Sequence, residues 1–199
     1  FTLPFTLGFL FFMIVPMGIS LYYSFCKYNI LSPPVFTGLD NFKNMIADGT
    51  FLQTIKVTFF FAFVSVPLKL IFALLVAMLL LKNTKMSGIY RAAYYLPSII
   101  GGFVAVAILW KRMFAMDGVV NKLLGSIGIK TSISWLGDTK TAIWILILLA
   151  VWQFGSSMLI FLSSLKQIPT SLYEAAMVDG ANPVSRFFKI TLPLLTPTI

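Results

Sequence analysis

Long apolar runs without charge dominate the chain, and they predict membrane-spanning helices. A helix needs about 20 apolar residues to cross a hydrocarbon core, and four runs are long enough, at about 1–25, 57–81, 92–110 and 141–165. A further run begins at 194 and continues to 199. The runs are uniformly apolar rather than alternating with a period of two, which favours helices over barrel strands. We therefore expect an all-α polytopic membrane bundle with four complete spans and the start of a fifth, in a fragment truncated at both ends.

The polar segments between these runs define the predicted loops. Four crossings place 26–56 and 111–140 on one side of the membrane, and 82–91 and 166–193 on the other. We expect the first pair to be external and the 166–193 loop to be cytoplasmic. The positive-inside rule does not decide this orientation, because basic residues occur on both sides. They are Lys82, Lys85 and Arg91 in the short segment, and Lys111, Arg112, Lys122, Lys130 and Lys140 in the longer one.

Composition indicates a bilayer as the solvent and excludes several functions. The 199 residues are 59% hydrophobic and 11% charged, whereas a soluble domain is about 25% charged. The net charge of +9 comes without a dense Lys/Arg cluster among polar residues, so no nucleic-acid surface is expected. There is no histidine, and all six acidic residues fall in the predicted loops. Intramembrane acid–base or metal chemistry has no groups to use, so we expect neither an enzyme nor a metal site.

One charge and several helix-breaking residues lie inside the predicted spans. Lys69 is an ionisable residue within the second span, which makes it a functional candidate. The alternatives are that its stem reaches the interface or that it pairs with a helix outside this sequence. Pro67, Pro97 and the Gly101–Gly102 pair fit either broken helices along a transport path or ordinary membrane helices, in which both residue types are common.

The segment after the fourth span begins with a predicted short helix. Ser171 and Glu174 are three residues apart, the spacing of a capping box, which predicts Ser171 as the N-cap. Ala175 and Ala176 are strong helix formers with little bulk. Gly180 is predicted to end this helix, because the position after a helix end favours a positive φ.

A second short helix is predicted after this turn. Asn182 suits an N-cap, Pro183 suits the first helical position, and Pro193 is expected to break the helix at its far end. Two accounts fit such a hairpin between two spans. It is a connector on the membrane surface, or it is a protruding helix that docks into a groove of a cytosolic partner.

The spacing in this hairpin resembles the EAA loop of ATP-binding-cassette (ABC) importer permeases. Glu174-Ala175-Ala176 is followed after three residues by Gly180, after nine more by Ile190, and after one more by Leu192-Pro193, without a gap. The VDGAN that follows the triplet resembles the carbohydrate-uptake branch, of the maltose and glycerol-3-phosphate permease type. Other stretches that resemble the family are FTGLDNFKNM, SVPLKLIFALLVAMLL, DGVVNKLLGSIGI…ISWLGD and LKQIPTSLYEAA.

This resemblance implies a fold, a set of partners and a set of coupling residues. The fold would be the helix bundle of the ABC importer permease (MetI-like) type, in the plasma membrane of a bacterium or archaeon. A second permease subunit, usually different, would complete the path, and an extracytoplasmic solute-binding protein would deliver a sugar. A cytosolic ATPase would dock on the loop and use ATP and Mg, since this chain has no GxxxxGK[ST] phosphate loop and is expected to bind no cofactor itself. The implied coupling residues are Glu174, Ala175, Ala176, Asp179, Gly180, Ala181 and Pro193.

By the same resemblance, part of the sugar site lies on the helix before the EAA loop, here 145–165. Sugars need aromatic faces for their C–H surfaces and hydrogen-bonding groups for their hydroxyls. Trp152, Gln153, Ser156 and Ser157 supply such groups, and Gln153 and Ser157 are four apart and are predicted to share a helix face. The alternative is that Gln and Ser hold membrane helices together.

Two other functions remain open from the sequence. A permease of the same superfamily would move a different solute, such as an amino acid or a phosphate ester. A channel or passive scaffold would use the hairpin only as a connector. Association with an ATPase separates the permeases from the scaffold.

Overall fold

Helices make up most of the chain, as the sequence predicts. A computed structural model describes residues 2–29, 31–81, 86–129 and 133–198. The basic residues Lys82, Lys85 and Lys130 of the predicted loops lie outside the described residues. The chain divides into two units, residues 1–59 and 60–199.

The first unit contains an interrupted helix, a small hairpin and the start of a long helix. Its elements are α1 (Leu3–Phe9), a π-helical turn (Leu10–Ile14), α2 (Val15–Ser24), strands β1 (Cys26–Asn29) and β2 (Ser32–Phe36), α3 (Asp40–Ala47) and the first part of α4 (Gly49–Leu79). The strands are antiparallel, with Cys26 opposite Phe36. Asn41 on α3 donates from Nδ2 to the carbonyls of Ser24 and Cys26, at 2.9 Å each. The described part of the first predicted external loop therefore contains regular elements with their own hydrogen bonds.

The second unit contains the rest of α4 and the later helices. These are α5 (Ser87–Ile100), α6 (Val104–Met113), α7 (Val119–Ser126), α8 (Thr139–Trp152), α9 (Gly155–Gln167), α10 (Thr170–Val178), α11 (Pro183–Arg186), a π-helical turn (Phe187–Thr191), α12 (Leu192–Leu195) and a 3₁₀ turn (Thr196–Thr198). Phe60 contacts Trp144 edge-on, with 5.7 Å between ring centroids, and Phe72 contacts Phe154 at 4.8 Å. The earlier residue of α4 contacts the earlier partner and the later residue contacts the later partner. α4 therefore runs in the same direction as α8 and α9.

Among the described residues, two helices are long and apolar enough to cross a membrane. Two bent helix pairs raise the number of possible crossings to four. Leu3–Ser24 and Gly49–Leu79 qualify as single helices. The pair α5–α6 is bent by 97° and the pair α8–α9 by 43°, each at a short break. Of the predicted breakers, the Gly101–Gly102 pair lies at the first of these breaks, whereas Pro67 and Pro97 lie inside their helices.

Pro193 does not break the second hairpin helix, so that prediction is wrong. Proline lacks an N–H, and in an α-helix its ring collides with the carbonyl four residues back. Here the preceding turn, Phe187–Thr191, is widened to a π-helix, and the Leu192 N–H bonds to the carbonyl five residues back. The wider turn accommodates the proline, and the helix continues to Leu195. The same arrangement precedes Pro16 in the first unit.

The core of the second unit lies between the C-terminal half of α4, α9 and α12. Ala73 and Ala77 on α4 are fully buried, and such small residues let membrane helices approach closely. The buried apolar residues of this core are Ala73, Val76, Ala77, Leu80, Phe154, Met158, Phe161, Leu162, Leu165 and Leu195. Many other large apolar side chains are exposed, among them Leu79 at 77% and Val104 at 75%. A surface of this kind suits lipid rather than water.

One buried asparagine organises the segment between α6 and α8. Asn121 on α7 is 7% exposed, and its Nδ2 donates to the carbonyls of Met116 and Ile133 at 2.9 Å each. Its Oδ1 accepts from Trp135 Nε1 at 2.8 Å. Thr141 Oγ1 donates to the Trp135 carbonyl at 2.6 Å, which connects this network to the first turn of α8. The described part of the second predicted external loop is thus folded around this side chain.

Asn121→Ala is expected to loosen this segment while the bundle stays folded. The change leaves two carbonyls and an indole N–H without their partner, and each unsatisfied buried group costs about 1–3 kcal/mol. Limited trypsin digestion in detergent measures the result, since cleavage at Lys122 should become roughly tenfold faster for each 1.4 kcal/mol lost. Asn44→Ala, at an exposed asparagine on α3, is the control. Equal cleavage rates at Lys122 in the two variants would contradict the role of Asn121.

Candidate functional site: a helix break and a terminal hairpin

A break between α8 and α9 lies among the predicted solute-path residues. Gln153 leaves helical geometry (φ −85°, ψ 35°) directly after Trp152, and α9 begins at Gly155 after Phe154. The prediction that Gln153 and Ser157 share one helix face is therefore wrong, because they lie on either side of the break. The break interrupts the backbone hydrogen bonds of the helix. In hydrocarbon each freed group must find another partner.

Ser98 on α5 supplies those partners. Its Oγ donates to the Gln153 carbonyl at 3.1 Å and accepts from the Ser156 N–H at 3.0 Å. In a continuous helix the Gln153 carbonyl would accept a hydrogen bond from the N–H of Ser157, four residues later. The Ser156 N–H would donate to the carbonyl of Trp152, four residues earlier. One hydroxyl therefore replaces one donor and one acceptor. Ser98 was not among the predicted site residues, although a serine directly after Pro97 in an apolar span is a recognisable signal for such an insertion.

Two glycines let α5 lie directly against the break. A Cβ on Gly155 would come within 2.3 Å of the Tyr94 carbonyl oxygen, and a Cβ on Gly101 within 2.3 Å of Gln153 Cδ. A larger residue at Gly155 would have to displace backbone, which a packed interior tolerates poorly. These two close approaches explain why α5 contacts the break at Ser98.

The Gln153 side chain lies between its own helix and the C-terminal end of α5. The carboxamide packs against Gly101, and Nε2 donates to the Leu149 carbonyl at 3.4 Å. The hydrogen bond stays within α8, and the packing against Gly101 is the contact that reaches a second helix.

The other three predicted solute-path residues also lie close to the break. Trp152 is half-buried, and its ring lies against that of Trp110 on α6, with 5.7 Å between centroids. Ser156 is exposed, and Ser157 is half-buried. An aromatic face and two hydroxyls are therefore available close to the break.

The first hairpin helix, α10, begins without a side-chain cap. Its N-cap is Pro169, and among the described residues no side chain caps its first turn. Ser171 already lies inside the helix, so the predicted capping box with Glu174 is wrong. The physical reason is that Pro169, with its fixed φ and an extended ψ of 132°, starts the helix two residues earlier than predicted.

Gly180 ends α10 as predicted. Its φ is +76°, in the left-handed region that favours glycine. The Gly180 N–H bonds to the Met177 carbonyl at 3.1 Å, and the Ala181 N–H bonds to the Ala176 carbonyl at 2.8 Å. These are the two bonds of a Schellman motif. The turn of the hairpin is therefore set by backbone geometry.

The second hairpin helix is capped as predicted and is connected to the first. Asn182 Oδ1 accepts from the Ser185 N–H at 2.7 Å, and Pro183 occupies the first helical position. The hydroxyls of Tyr173 on α10 and Thr191 share a hydrogen bond of 2.9 Å, and Thr191 is 6% exposed. The hairpin is thus a unit with its own tertiary hydrogen bond.

The tip of α10 exposes apolar side chains beside acidic ones. Val178 is 88% exposed and Met177 is 51% exposed. Of the predicted coupling residues, Ala176 and Ala181 are half-buried, and the exposed ones are Glu174, Ala175, Asp179, Gly180 and Pro193. A groove of about 250 Å³ lies between the hairpin and the ends of α4 and α9, with Met78, Leu165 and Tyr173 in its lining.

Lys69 lies on the buried face of α4. Ser65, Ala73 and Ala77 share its face at four-residue spacing and are 4%, 0% and 0% exposed. Lys69 itself is half-buried. It forms no ion pair or hydrogen bond with any residue that the structure describes.

An apolar helix bundle with interrupted spans and a helical hairpin between two of its helices is the architecture of a polytopic membrane protein. Residues 45–199 match the family "Binding-protein-dependent transport system inner membrane component", and the chain belongs to this family. The predicted family and its permease fold are confirmed.

Individual relatives agree with this assignment. The chain is 56% identical over 197 residues to the probable ABC transporter permease protein YesP of Bacillus subtilis (strain 168), covering 98% of this chain and 64% of that protein. It is 33% identical over 202 residues to the probable starch degradation products transport system permease protein AmyD of Thermoanaerobacterium thermosulfurigenes, covering 99% and 67%. The crystal structure of a bacterial ABC transporter involved in the import of the acidic polysaccharide alginate matches with a TM-score of 0.79 at 27% identity, over 98% of this chain and 66% of that chain. The chain thus spans about two thirds of the length of these relatives.

Ser98→Ala is expected to destabilise the break. The variant leaves the Gln153 carbonyl and the Ser156 N–H without partners in apolar surroundings, at about 1–3 kcal/mol for each group. The apparent melting temperature in detergent, followed by size-exclusion chromatography of heated samples, should fall by several degrees. Ser163→Ala, at an exposed serine on α9, is the matched control and should melt like the wild type. Identical melting of the two variants would show that the break does not depend on Ser98.

Proposed function

We propose that this chain is the membrane-spanning permease subunit of an ABC importer and that it translocates a sugar or a sugar-like solute. The observation that carries the proposal is the hairpin of α10 and α11, a capped unit that projects from a packed apolar bundle. On this proposal the protein lies in the plasma membrane of a bacterium or archaeon as a multi-pass subunit. The 166–193 region would face the cytoplasm, and 26–56 and 111–140 would face outward.

Coupling to a cytosolic ATPase is supported by how the hairpin joins the bundle. α9 leads into α10 through two residues, Ile168 and Pro169, and the second hairpin helix continues into α12 without a break. The 13 residues of α9 measure about 20 Å, so one helix connects the hairpin with the break at Phe154. Leu165 on α9 and Leu195 on α12 are buried in the same core. A tilt of α10 would therefore move α9 and α12 together.

The tip of the hairpin suits docking into a groove of that ATPase. Short helices with exposed apolar side chains and small neighbours bind grooves in partner proteins. Val178 and Met177 offer the apolar contacts, and Ala175 lets the helix backbone come close. Glu174 and Asp179 are exposed beside them and offer charge complementarity to a basic partner surface. ATP and Mg would be bound by the partner.

The carbohydrate assignment rests on the relatives and on the groups beside the break. AmyD is named for starch degradation products, and the structural relative imports alginate. The ring of Trp152 and the hydroxyls of Ser156 and Ser157 suit the apolar faces and the hydroxyls of a sugar. A second permease subunit and an extracytoplasmic solute-binding protein would complete the system. The named relatives include an acidic polysaccharide importer, so they leave the charge of the solute open.

Gly180→Leu is expected to release the ATPase while the bundle stays folded. A leucine disfavours a φ of +76° by about 1–2 kcal/mol, so the turn changes conformation and the tip is displaced. After mild-detergent purification of the tagged full-length protein with its natural partners, the recovered ATPase should fall roughly tenfold. Gly128→Leu is the matched control, because Gly128 has a φ of +90°, equally open surroundings and a place in the predicted external loop. Equal ATPase recovery in the two variants would leave the hairpin as a surface connector and remove the coupling proposal.

Glu174→Lys is expected to weaken coupling through charge rather than shape. The variant places a cation where the tip offers a carboxylate, and like-charge contact at an interface costs binding. ATP hydrolysis stimulated by the sugar-loaded binding protein in proteoliposomes should fall at least severalfold. Asp117→Lys makes the same charge change at an exposed residue of the predicted external loop and should leave the contact with the ATPase intact.

The same assay tests the solute class. Stimulation by an amino acid or a phosphate ester, but by no sugar, would retain the permease and overturn the carbohydrate assignment.

A further inference from the structure

Lys69 lies in the middle of the second apolar run, too deep to reach either membrane surface. The run 57–81 has no other charge, and twelve residues separate Lys69 from each of its ends. Twelve residues of α-helix measure about 18 Å, whereas the four-carbon stem of lysine spans only about 6 Å. Of the two alternatives that the sequence left open, a side chain that reaches the interface is therefore excluded by length.

The direction of the side chain is toward protein rather than lipid. Ser65, Ala73 and Ala77 have the four-residue spacing that places side chains on one helix face, and all three are buried. Lys69 lies between them on this face and is half-buried. Charged residues in membrane helices that face the interior of a bundle mark solute paths.

The chain supplies no carboxylate for Lys69. All six acidic residues belong to the described part of the chain and lie outside the apolar runs, at Asp40, Asp48, Asp117, Asp138, Glu174 and Asp179. Among the described residues, the ion pair that forms joins Lys43 and Asp40 near the chain's first hairpin. A cation at mid-membrane requires a compensating anion or a polar cavity. A compensating anion, where one is present, therefore lies outside these 199 residues, in the rest of this protein, in another subunit or on the solute.

Lys69 also lies level with the helix break. Phe72, three residues further along α4, contacts Phe154 inside the break. Three residues are about 4.5 Å along the helix axis. The cation is therefore at the depth where the aromatic and hydroxyl groups proposed for sugar binding are found.

We propose that Lys69 binds a carboxylate of the transported solute, which makes acidic, uronate-containing oligosaccharides the substrate class. This inference rests on the proposed sugar-permease function. The ammonium donates to the carboxylate in charge-assisted hydrogen bonds, while Trp152 and the serine hydroxyls contact the neutral parts of the sugar. A neutral sugar of the same size would leave the cation without a partner, so Lys69 selects against it.

Uptake by the complete transporter in proteoliposomes tests this assignment. The probes are galacturonate, mannuronate and guluronate oligosaccharides and the neutral sugars obtained by reducing their carboxyl groups. The wild type should prefer an acidic probe, Lys69→Arg should keep the preference, and Lys69→Met should lower it by about 10- to 100-fold, the range of a charged hydrogen bond. The binding protein is the same throughout, so a change in preference reports the permease. Lys56→Met, at an exposed lysine of α4 before the apolar run, is the matched control.

Three results would overturn the proposal. Equal uptake of acidic and reduced sugars by the wild type, or a preference that Lys69→Met leaves unchanged, removes the role of Lys69 and leaves a sugar permease. Loss of the second permease subunit, or of the folded permease itself, in the Lys69→Met sample but not in the Lys69→Arg sample shows that Lys69 pairs with a carboxylate of that subunit, or of the rest of this protein, instead of the solute. An assembled complex that takes up no sugar of either charge overturns the proposed function together with this inference.

Discussion

Within a bilayer, each backbone polar group that leaves a helix must find a partner inside the protein, and the second unit of this chain depends on how that requirement is met. The break at Gln153 is possible because the Ser98 hydroxyl accepts one freed N–H and donates to one freed carbonyl. Gly155 lets α5 come close enough to do so. One serine therefore fixes where the fourth apolar run bends and which helix lies against the bend.

The position of the break determines what the rest of the unit can do. α9 begins at the break and ends at the hairpin, so the two ends of a single helix carry the proposed solute groups and the proposed ATPase contact. The π-helical turn before Pro193 keeps the returning helix continuous with α12. Movement at the hairpin is then transmitted through packed helices rather than absorbed in a loose connection. On the proposed function, this arrangement links ATP hydrolysis in a partner subunit to the depth at which the solute crosses the membrane.

The features predicted from sequence are those set by near neighbours in the chain. The positive φ of Gly180 and the cap at Asn182 follow from the chemistry of one residue and its neighbours, and both are present. Ser171 fails as a cap because Pro169 already fixes the start of the helix, a competition between two local signals. The break at Gln153 was missed because its partner, Ser98, is 55 residues away and acts only once two helices meet. The prediction that Pro193 breaks the helix was wrong for a related reason, because a widened helical turn before it accommodates the proline.

Cross-linking in native membranes tests the central claim, that the tip of α10 contacts the ATPase. A cysteine at Val178, the most exposed large apolar residue of α10, would be introduced into the full-length protein after Cys26 and any other native cysteine have been replaced by alanine. A short thiol-to-amine cross-linker is predicted to join this chain to the ATPase subunit at Val178→Cys. At Ile127→Cys, also well exposed but in the predicted external loop, no such product is expected. A cross-link to the ATPase from Ile127→Cys, or none from Val178→Cys in an assembled complex, would contradict the account.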